Sequence, residues 1–474
     1  MIQSTGPNSN GFVKQVMEHV SSIVSMTYGP SGGFVVLSNG EESVATKDGV
    51  SIVRVIESDD TFESAIIEII RESALNTLTK VGDGTTSTII LANNILSRFV
   101  TSDFMRKDEI IEAVKLNIRA KSKSVDILSD EIYTVALTAT AGDKELSNAI
   151  ISAFRSSPDA LSANVSPEIR LGDTVRHEQG DGAIFSANII DMAFVDNTEN
   201  ASKSIKDAHI IVSESDVTGE EDVVGMITEC VKNGIKDLVI FAPAFSISAL
   251  SSLAVNHNVS CNFTPMVISS DKIISTKIVM GVIATAFGAT IVGEDSGIDL
   301  GDITKDHMGI IERFSLSSKK VTISGKDSSS KEDIESKKMY LTNLMKSSTS
   351  DEEKNAYKYL LSILEKRISR VIIGGNSMAS AIERKDRADD CINAIEMALN
   401  SGVVLGAGRG YTNMCLGVHC ATDIDSAADD MKKLLPQDSA SSSYDPTEVI
   451  VTVAEQAIEL AFTLGMTKSI VIKK

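Results

Sequence analysis

Three short segments, far apart in the chain, carry residue types suited to holding a nucleotide. They are TYGPSGG at 27–33, TKDGVS at 46–51 and GDGTTST at 82–88. The two glycines of the third segment let the backbone turn sharply and approach a ligand closely. Asp83, between them, offers a hard oxygen for magnesium. The hydroxyl residues that follow predict a capped helix start, where free N–H groups favour phosphate.

The flanking sequence predicts the elements that hold this third segment. Apolar side chains recur at helical spacing over 62–80 and again over 86–100. GDGTT therefore lies in a tight joint at a helix N-terminus, where an anion binds. It is not the phosphate loop that ends in Gly-Lys-Ser/Thr, because no lysine follows the second glycine. Glycine and threonine also make ordinary turns and caps, so that interpretation stays open.

Length and composition predict a multi-domain globular protein. The 474 residues, 42% of them hydrophobic, allow about three domains. We expect no membrane span, because no uninterrupted apolar run of about 20 residues occurs, and no signal peptide, because the polar N-terminus lacks the required pattern. The five cysteines include no CxxC pair. We therefore expect reduced thiols, a cytoplasmic location and no zinc site.

The acidic balance argues against a nucleic-acid surface. The formal net charge is −20, whereas phosphate contacts need clustered lysine and arginine. A solvated exterior is one explanation of this charge. The lining of a closed cavity that discourages the sticking of enclosed chains is the other.

Local patterns give a coarse secondary structure. FVVL at 34–37 and VSIVRVI at 50–56 predict strands, and Asn39-Gly40 between them is a hairpin signal. Between about 205 and 293, short β-rich runs (209–212, 238–242 and 289–293) alternate with helical segments, which predicts a separate α/β layer. The charged stretch 326–367 predicts two long exposed helices.

Five co-linear motifs resemble those of group I chaperonins, the GroEL-type ATP-driven folding machines. TYGPSGG, TKDGVSI and GDGTTST are similar to the family's TLGPKGR, TKDGVSV and GDGTTTA. GVVLGAG at 402–408 resembles GVVAGGG, and DPT at 445–447 resembles the family's DPT near its C-terminus. The form TKDG, rather than TNDG, favours group I over the archaeal and eukaryotic cytosolic group.

The resemblance implies a multi-domain α/β chaperonin fold with nested domains. A mostly α-helical equatorial ATP-binding domain would combine 1–127 with 401–474. A small intermediate domain would combine 128–180 with 368–400. An α/β apical substrate-binding domain would fill 181–367. Gly182 matches a hinge glycine of the family, whereas Lys366-Arg367 stand where the family has Gly-Gly.

The resemblance also assigns site residues. It implies Asp390 as the carboxylate that activates water, Asp48 as a carboxylate near the γ-phosphate and Asp83 as the magnesium ligand. Counting back from GVV at 402–404 selects Asp390 rather than Asp389. A solvated helix face is the alternative for both acids. The remaining implied nucleotide contacts are Thr27, Gly29, Pro30, Lys47, Gly84, Thr85, Thr86, Ser87, Gly406, Gly408 and Asp445, the last of these at the ribose.

Two further implications concern a potassium site and the recognition of the adenine base. Thr27, Lys47 and Thr86 match positions around a potassium site of the family. Over 409–444 the chain is about forty residues shorter than the family pattern, and the segment that contacts adenine has no match. Base recognition is therefore expected to be loose.

A substrate groove is implied in the apical domain, on the segments 246–257 and 273–288, with a strip below them from NIIDMAFV at 188–195. It would capture exposed apolar segments of client proteins and the mobile loop of a GroES-like co-chaperonin. Apolar residues at such spacings are equally typical of a buried core. The expected groove residues are Ile189, Ile190, Phe194, Leu250, Leu253, Ala254, Ile278, Val279 and Val282.

Two function classes follow from these observations. The first is an ATP-driven chaperonin that encloses non-native proteins in a ring, with seven subunits expected. The second is a chaperonin-like binding or assembly scaffold with weak or no turnover. The departures from the family pattern also suggest a viral or bacteriophage copy that acts in the host cytoplasm. We expect no nucleic-acid or membrane partner.

Overall fold

The structure is a computed structural model of the chain. It describes residues 2–4, 9–29, 32–38, 43–47, 49–157, 160, 163–198, 201–268, 273–293, 296–317, 320–325, 330–375, 377–435 and 443–473. Contacts within the chain separate into two compact units. Unit 1 comprises Met1–Arg155, Pro167–Arg176 and Val371–Lys474, and unit 2 comprises Ser156–Ser166 and His177–Arg370. The three-domain boundaries expected from the resemblance stay a prediction.

Helices make up most of unit 1. In chain order, its helices are α1 (Ser9–Ser25), α2 (Gly49–Val55), α3 (Thr61–Val81), α4 (Thr85–Ser97), α5 (Lys107–Arg119), α6 (Asp130–Ala139) and α7 (Lys144–Arg155). Those of unit 2 are α8 (Glu220–Asn233), α9 (Ile247–Asn256), α10 (Thr276–Phe287), α11 (Lys331–Ser347) and α12 (Asp351–Glu365). The chain then returns to unit 1 with α13 (Met378–Ser401), α14 (Ile424–Lys433) and α15 (Thr447–Met466).

Strands are concentrated in unit 2. The first five are β1 (Ile2–Ser4), β2 (Val35–Ser38), β3 (Ser43–Thr46), β4 (Val165–Ile169) and β5 (Arg176–Asp181). Next come β6 (Ala183–Ile189), β7 (Lys203–Ser213), β8 (Asp237–Ala242), β9 (Asn262–Ile268), β10 (Ile291–Val292), β11 (Gly309–Ser317) and β12 (Lys320–Gly325). The last four are β13 (Arg367–Ile373), β14 (Val403–Leu405), β15 (Tyr444–Pro446) and β16 (Val471–Lys473).

The core of unit 1 joins the two ends of the chain. One cluster of buried apolar residues draws its members from 13–118 and from 404–464. Helix α15 lies at its centre and packs against α3, α4 and α5. This helix is long and apolar enough to cross a membrane, but most of it is buried within the protein. The apolar side chains of α15 therefore form part of the core around the predicted nucleotide segments.

Unit 2 is built on one mixed sheet. Its strand order is β10-β7-β11-β12-β6-β9-β8, and β8 also pairs with β7, so the sheet closes on itself. The β7–β8 and β8–β9 pairs are parallel, and β11 and β12 pair antiparallel with their neighbours. One buried cluster involves α10, α11 and α12, and a second involves α8 and α9. Helices thus cover the sheet, as the alternating β-rich runs predict.

Among the described residues, four small sheets complete the fold. Strands β2 and β3 form an antiparallel pair, as do β14 and β15, and β1 and β16. Strands β4, β13 and β5 form a three-stranded sheet, and the division between the two units falls within these strands.

Most sequence-based element predictions are confirmed. Helices α3 and α4 cover the two stretches of helical spacing, and α11 and α12 form the pair expected in the charged stretch. The FVVL strand corresponds to β2, which pairs with β3; the Asn39-Gly40 turn signal lies outside the described residues.

The strand predicted at 50–56 is wrong, because these residues form α2. A short apolar run does not distinguish a strand from a buried helix by its periodicity alone. Val50, Ile52 and Val53 are all buried. The strand partner of β2 lies earlier in the chain, in β3.

Candidate functional site

Unit 1 contains a cavity of about 550 Å³ that brings the predicted nucleotide segments together. Its lining comes from the end of α1, the start of α2, the α3–α4 joint, α6, α13, the residues after β14 and the start of α15. This volume lies within the range typical of small-molecule sites. We call the cavity with this lining the nucleotide cavity.

The α3–α4 joint depends on two glycines. Gly82 ends α3 with a φ of 72°, and its N–H donates to the Leu78 carbonyl at 2.7 Å. Gly84 precedes α4 with a φ of 92°. A Cβ on Gly84 would lie 2.5 Å from Cγ2 of Val453. Both the left-handed backbone and this close approach therefore require glycine.

The first turn of α4 is suited to an anion. No side chain at Gly84 caps this helix, and Thr85, Thr86 and Ser87 all line the nucleotide cavity. Unpaired N–H groups at a helix start attract phosphate through hydrogen bonds and through the helix dipole. Asp83 lies beside them and accepts a hydrogen bond from the Gly84 N–H.

The first two predicted segments form the facing wall. Thr27 is buried, and its hydroxyl donates to the Val24 carbonyl at 2.9 Å. Gly49 begins α2, and a Cβ at this position would lie 2.1 Å from Oγ1 of Thr86. Lys47 also lines the cavity, and its Nζ lies 4.8 Å from the centre of the Phe34 ring. A cation and the α4 N-terminus thus share one cavity.

The structure distinguishes the two adjacent acids of α13. Asp389 pairs with Lys385 at 2.9 Å, one helical turn away. Asp390 is exposed and lines the nucleotide cavity, whereas Asp389 does not. The neighbouring Ala388 and Cys391 are fully buried. The apolar side of α13 therefore fixes the helix orientation that brings Asp390 to the cavity.

The half-buried carboxyl group of Asp445 interacts electrostatically with Asp83. Burial, and then the negative charge of Asp83, raise the pKa of Asp445 to about 6, and attraction from Arg409 partly opposes this shift. Burial also raises the pKa of Tyr28, and the charge of Asp445 adds to that shift. A hydrogen bond with Ser87 acts on the Tyr28 pKa in the opposite direction. The Asp83 and Asp445 carboxyl groups therefore repel each other, and a cation bound between them would reduce this repulsion.

Eleven of the residues assigned from the resemblance line the nucleotide cavity. Gly406 does not; a Cβ there would meet the carbonyl carbon of Ser443 at 2.9 Å, so this glycine admits the backbone before β15. Pro30 and Asp48 lie outside the described residues. The lining residues are Thr27, Gly29, Lys47, Asp83, Gly84, Thr85, Thr86, Ser87, Asp390, Gly408 and Asp445.

Sequence reasoning missed much of the apolar wall. Tyr28 stands inside a quoted motif, but nothing in the sequence marks its side chain as part of the site. The other missed residues stand at unassigned positions of the quoted motifs, or come from α3, α6 and the turn after it, α15, and the segments between β14 and β15. They are Val50, Leu78, Thr134, Leu137, Thr138, Ala141, Gly142, Ala407, Tyr411, Leu435, Ser443, Pro446, Val449, Ile450 and Val453.

The donor set is compatible with magnesium bound together with phosphate. Within the described part of the chain, no group of three or more His, Cys, Asp or Glu side chains is arranged to hold a metal. Magnesium is often held by one or two carboxylates plus substrate phosphates. Asp83 beside the open start of α4 provides that arrangement, so the residues present fit a magnesium–nucleotide complex.

The expected client groove needs correction at three positions. Phe194, Leu253 and Val282 are fully buried in the cores of unit 2, so they present no surface to a client in this conformation. The turn that carries Phe194 and the helices α9 and α10 pack on the closed sheet through these side chains. The other expected residues, Ile189, Ile190, Leu250, Ala254, Ile278 and Val279, are partly or largely exposed.

A different apolar surface lies on α8 and α9. These two helices pack against each other, and the Ser246 hydroxyl at the start of α9 donates to the Thr218 carbonyl before α8 at 2.9 Å. Five aliphatic side chains on this pair and the following turn are more than half exposed: Val224, Val231, Ile247, Val255 and Val259. We call these five residues the α8–α9 strip. Single exposed apolar residues are ordinary, and five of them on two packed helices and the following turn make this region a candidate for an interaction surface.

Comparisons with known proteins identify relatives of this arrangement. The sequence profile of the TCP-1/cpn60 chaperonin family matches residues 20–433. The structure is similar to crystal structures of the chaperonin gp146 from bacteriophage EL 2 (Pseudomonas aeruginosa), obtained in the presence of ATP-BeFx. For crystal form II the TM-score is 0.76 at 18% identity, covering 100% of this chain and 99% of the other. For form I it is 0.63 at 18% identity, covering 99% and 98%. The predicted multi-domain α/β chaperonin fold is confirmed.

Proposed function

Because the chain belongs to the TCP-1/cpn60 chaperonin family, we propose that it is an ATP-driven protein-folding chaperonin. In this proposal it binds non-native proteins, encloses them in a ring and releases them after hydrolysis. The observation that carries the proposal is the nucleotide cavity, where the α3–α4 joint, Lys47 and Asp390 meet. These parts supply the anion site, the positive charge and the acceptor of a proton that phosphoryl transfer to water requires.

The phosphate end of the site is assigned to the first turn of α4. The N–H groups and hydroxyls of Thr85, Thr86 and Ser87 would hold the phosphates. Asp83 would hold Mg²⁺ together with phosphate oxygens, and the bound ion would neutralise negative charge there. Its positive charge would also relieve the repulsion between Asp83 and Asp445. For K⁺, Thr27 and Thr86 offer oxygens, whereas Lys47 is a cation and would contribute its backbone carbonyl.

Asp390 is the proposed base. Its carboxylate would orient the attacking water and accept its proton. Asp48, outside the described residues, keeps the role that the resemblance implies, a carboxylate near the γ-phosphate. Asp390 belongs to α13, whereas the phosphate site belongs to α4 and α2. Movement of α13 toward or away from the cavity would therefore control hydrolysis, as closure does in many enzymes.

Clients would bind to unit 2 through exposed aliphatic side chains. The α8–α9 strip supports this assignment, and we propose that it extends the part of the expected groove that is exposed. The same surface would accept the mobile loop of a GroES-like co-chaperonin, in a ring that we propose has seven subunits. The similarity to a bacteriophage chaperonin supports a phage copy that acts in the host cytoplasm.

The second candidate is a chaperonin-like scaffold without turnover. The observation that favours it is the shortened segment before Asp445, where the family's adenine contacts have no match. Retention of Asp83 and Asp390 favours the first candidate, because a scaffold needs neither a magnesium ligand nor a base.

The test is the steady-state ATPase rate of the intact protein and of two matched variants. Asp390→Ala is expected to bind Mg-ATP but to lose turnover by about 10²- to 10⁴-fold, the contribution of a general base. Asp389→Ala, at the neighbouring position that does not line the cavity, is the control and should keep turnover. No ATPase activity in the intact protein would favour the scaffold. Equal loss in both variants would reject Asp390 as the base.

A further inference from the structure

Helix α6 contributes an exposed hydroxyl group to the wall of the nucleotide cavity. The lining residues of this helix and of the turn after it follow the spacing of one helical face: Thr134, Leu137, Thr138 and Ala141. Thr138 is exposed, whereas Thr134 is half-buried. The Thr138 side chain is therefore accessible to a molecule that occupies the cavity.

The proton of the Thr138 hydroxyl is held by the helix. The hydroxyl donates it to the Thr134 carbonyl, one turn earlier in α6, at 2.9 Å. A threonine hydroxyl has one proton to donate and two lone pairs that accept. Because its proton is engaged, this oxygen is an acceptor toward the cavity. It suits a donor such as water, and it does not suit the oxygens of a phosphate.

Two contacts show how α13 lies along α6. The Arg384 guanidinium pairs with Asp143, after the end of α6, at 2.8 Å. The Cys391 thiol, later in α13, donates to the Ala136 carbonyl, within α6, at 3.7 Å. As the chain advances along α13 its contacts move backward along α6, so the two helices are antiparallel.

The antiparallel arrangement brings Asp390 beside Thr138. Asp390 comes one residue before the thiol contact on α13, and Thr138 comes two residues after it on α6. With a rise of about 1.5 Å per residue, the two are almost level along the helices. One turn further along α13, Asn393 lies over the α3–α4 joint, since a Cβ on Gly82 would lie 3.0 Å from its Nδ2. Asp390 and Thr138 thus line the cavity together, next to the phosphate end.

We propose that Thr138 holds the water molecule that attacks the γ-phosphate of ATP. The water oxygen forms a bond to phosphorus as the bond to the bridging oxygen breaks, which gives ADP and phosphate. The water then has two protons to place. One goes to the Asp390 carboxylate, the proposed base, and the other is donated in a hydrogen bond to the Thr138 oxygen. The second contact fixes the direction of the attacking lone pair. This inference rests on the proposed ATPase function.

The experiment measures kcat and the dissociation constant of Mg-ATP for the intact protein, Thr138→Val and Thr138→Ser. Valine has the shape of threonine without the hydroxyl and a similar helix propensity. In Thr138→Val, kcat should fall by roughly 10- to 100-fold, the effect of a misplaced reacting group. The dissociation constant should change by less than about twofold, because the lost contact is made to water rather than to the nucleotide. Thr138→Ser keeps the acceptor and should keep most of the turnover.

Thr228→Val is the matched control. Thr228 is an exposed threonine of α8 whose hydroxyl likewise donates to a carbonyl one turn earlier, that of Val224, at 2.7 Å. It belongs to unit 2 and is not part of the cavity lining. This variant should leave kcat and the dissociation constant unchanged.

Several results would overturn the role of Thr138. These are an unchanged kcat in Thr138→Val, an equal loss in Thr138→Val and Thr138→Ser, or a rise in the dissociation constant as large as the fall in kcat. If Asp48→Asn lowers kcat and Thr138→Val does not, the second proton of the water goes to that carboxylate. An intact protein without turnover would instead reject the ATPase proposal and this inference with it, so the activity of the intact protein distinguishes the two failures.

Discussion

Asp445 shows how a single residue links the stability of the protein to its ligand. Burial and the charge of Asp83 raise its pKa to about 6 from an ordinary value of 3.8. The folded chain therefore holds this proton more tightly than the unfolded chain does. The associated stability is complete below pH 3.8 and is lost as the pH rises through 6. At neutral pH the buried carboxylate destabilises the ligand-free protein.

Asp445→Asn should therefore stabilise the protein without nucleotide at pH 7.5. The pKa difference, from 3.8 to about 6, sets an upper bound of about 3 kcal/mol, and the gain should vanish below pH 4. Denaturant unfolding at several pH values measures it, with Asp59→Asn at an exposed position as the control. A variant that is less stable than the wild type at pH 7.5 would contradict the account. The same variant should bind nucleotide more weakly, since Asp445 is assigned to the ribose.

Residues of the site differ in how far the sequence reveals them. Gly82, Asp83 and Gly84 are recognisable because a turn, a hard oxygen and a helix start must be adjacent in sequence. Tyr411 and Ser443 are not recognisable in this way. Their place at the cavity arises from the packing of distant segments, through the β14–β15 pair, and no local pattern encodes that approach.

Among the elements, helices with strong periodicity were predictable and short apolar runs were not. Helix α3 follows its pattern because one stripe, including Ile66, Ile67 and Ile70, is buried. The run at 50–56 is rich in β-branched residues, as strands are, yet Gly49–Val55 form α2. A Cβ on Gly49 would lie 2.1 Å from the Oγ1 of Thr86, so the first residue of this helix must be glycine. Val50, Ile52 and Val53 are buried, and a short buried apolar run is found in helices and strands alike, so periodicity does not decide between them.

The proposed client surface is likewise only partly predictable from the sequence. The spacing of apolar residues on α9 predicts one apolar side but does not tell which side faces the core. In the structure Leu253 is fully buried, whereas Val255, two residues later, is 77% exposed. Helix α10 turns Val282 inward. Exposed aliphatic side chains also occur outside the expected groove, on α8 and in the turn after α9.

Val231→Ser together with Val255→Ser should impair capture of an unfolded model protein. Both side chains are exposed, at 62% and 77%, so their burial by a client contributes roughly 25 cal/mol per Å². The unfolding midpoint should not change, because exposed substitutions usually alter stability by less than about 0.5 kcal/mol. Suppression of aggregation, followed by light scattering, reports capture.

Two further variants serve as controls for that experiment. Leu253→Ala removes a core side chain and should lower stability by about 2–5 kcal/mol. Val279→Ser changes α10, where the side chain packs partly against a core cluster. If Val279→Ser abolishes capture and the double variant does not, the client surface lies on α10 and the α8–α9 strip is not used.

At the scale of the whole molecule, the terminal strands explain how one chain would join the next. Strand β16 pairs with β1 of the same chain, with Gln3 opposite Ile472. The β2–β3 hairpin is a separate two-stranded sheet. A two-stranded sheet leaves an edge on each side, and such edges pair with other strands unless they are covered.

Ring assembly should therefore depend on β16. If the β1–β16 pair of one subunit extends the β2–β3 hairpin of its neighbour, repetition of that contact closes a ring, which we expect to have seven subunits. Deletion of residues 469–474 should yield monomers or fragments of rings. Deletion of 471–474 alone tests β16 more specifically. This shorter deletion keeps Ile470, which packs against the core of unit 1.

Native mass measurement distinguishes the outcomes of that truncation. The intact protein should give seven times the chain mass of 50.6 kDa, and the shortened protein should give mainly the monomer mass with an unchanged far-ultraviolet circular dichroism spectrum. Val471→Thr, which keeps the backbone and a β-branched side chain, is the matched control and should assemble normally. A shortened chain that still forms the intact ring would mean that closure depends on contacts elsewhere in the subunit, and that the paired termini only complete the fold of unit 1.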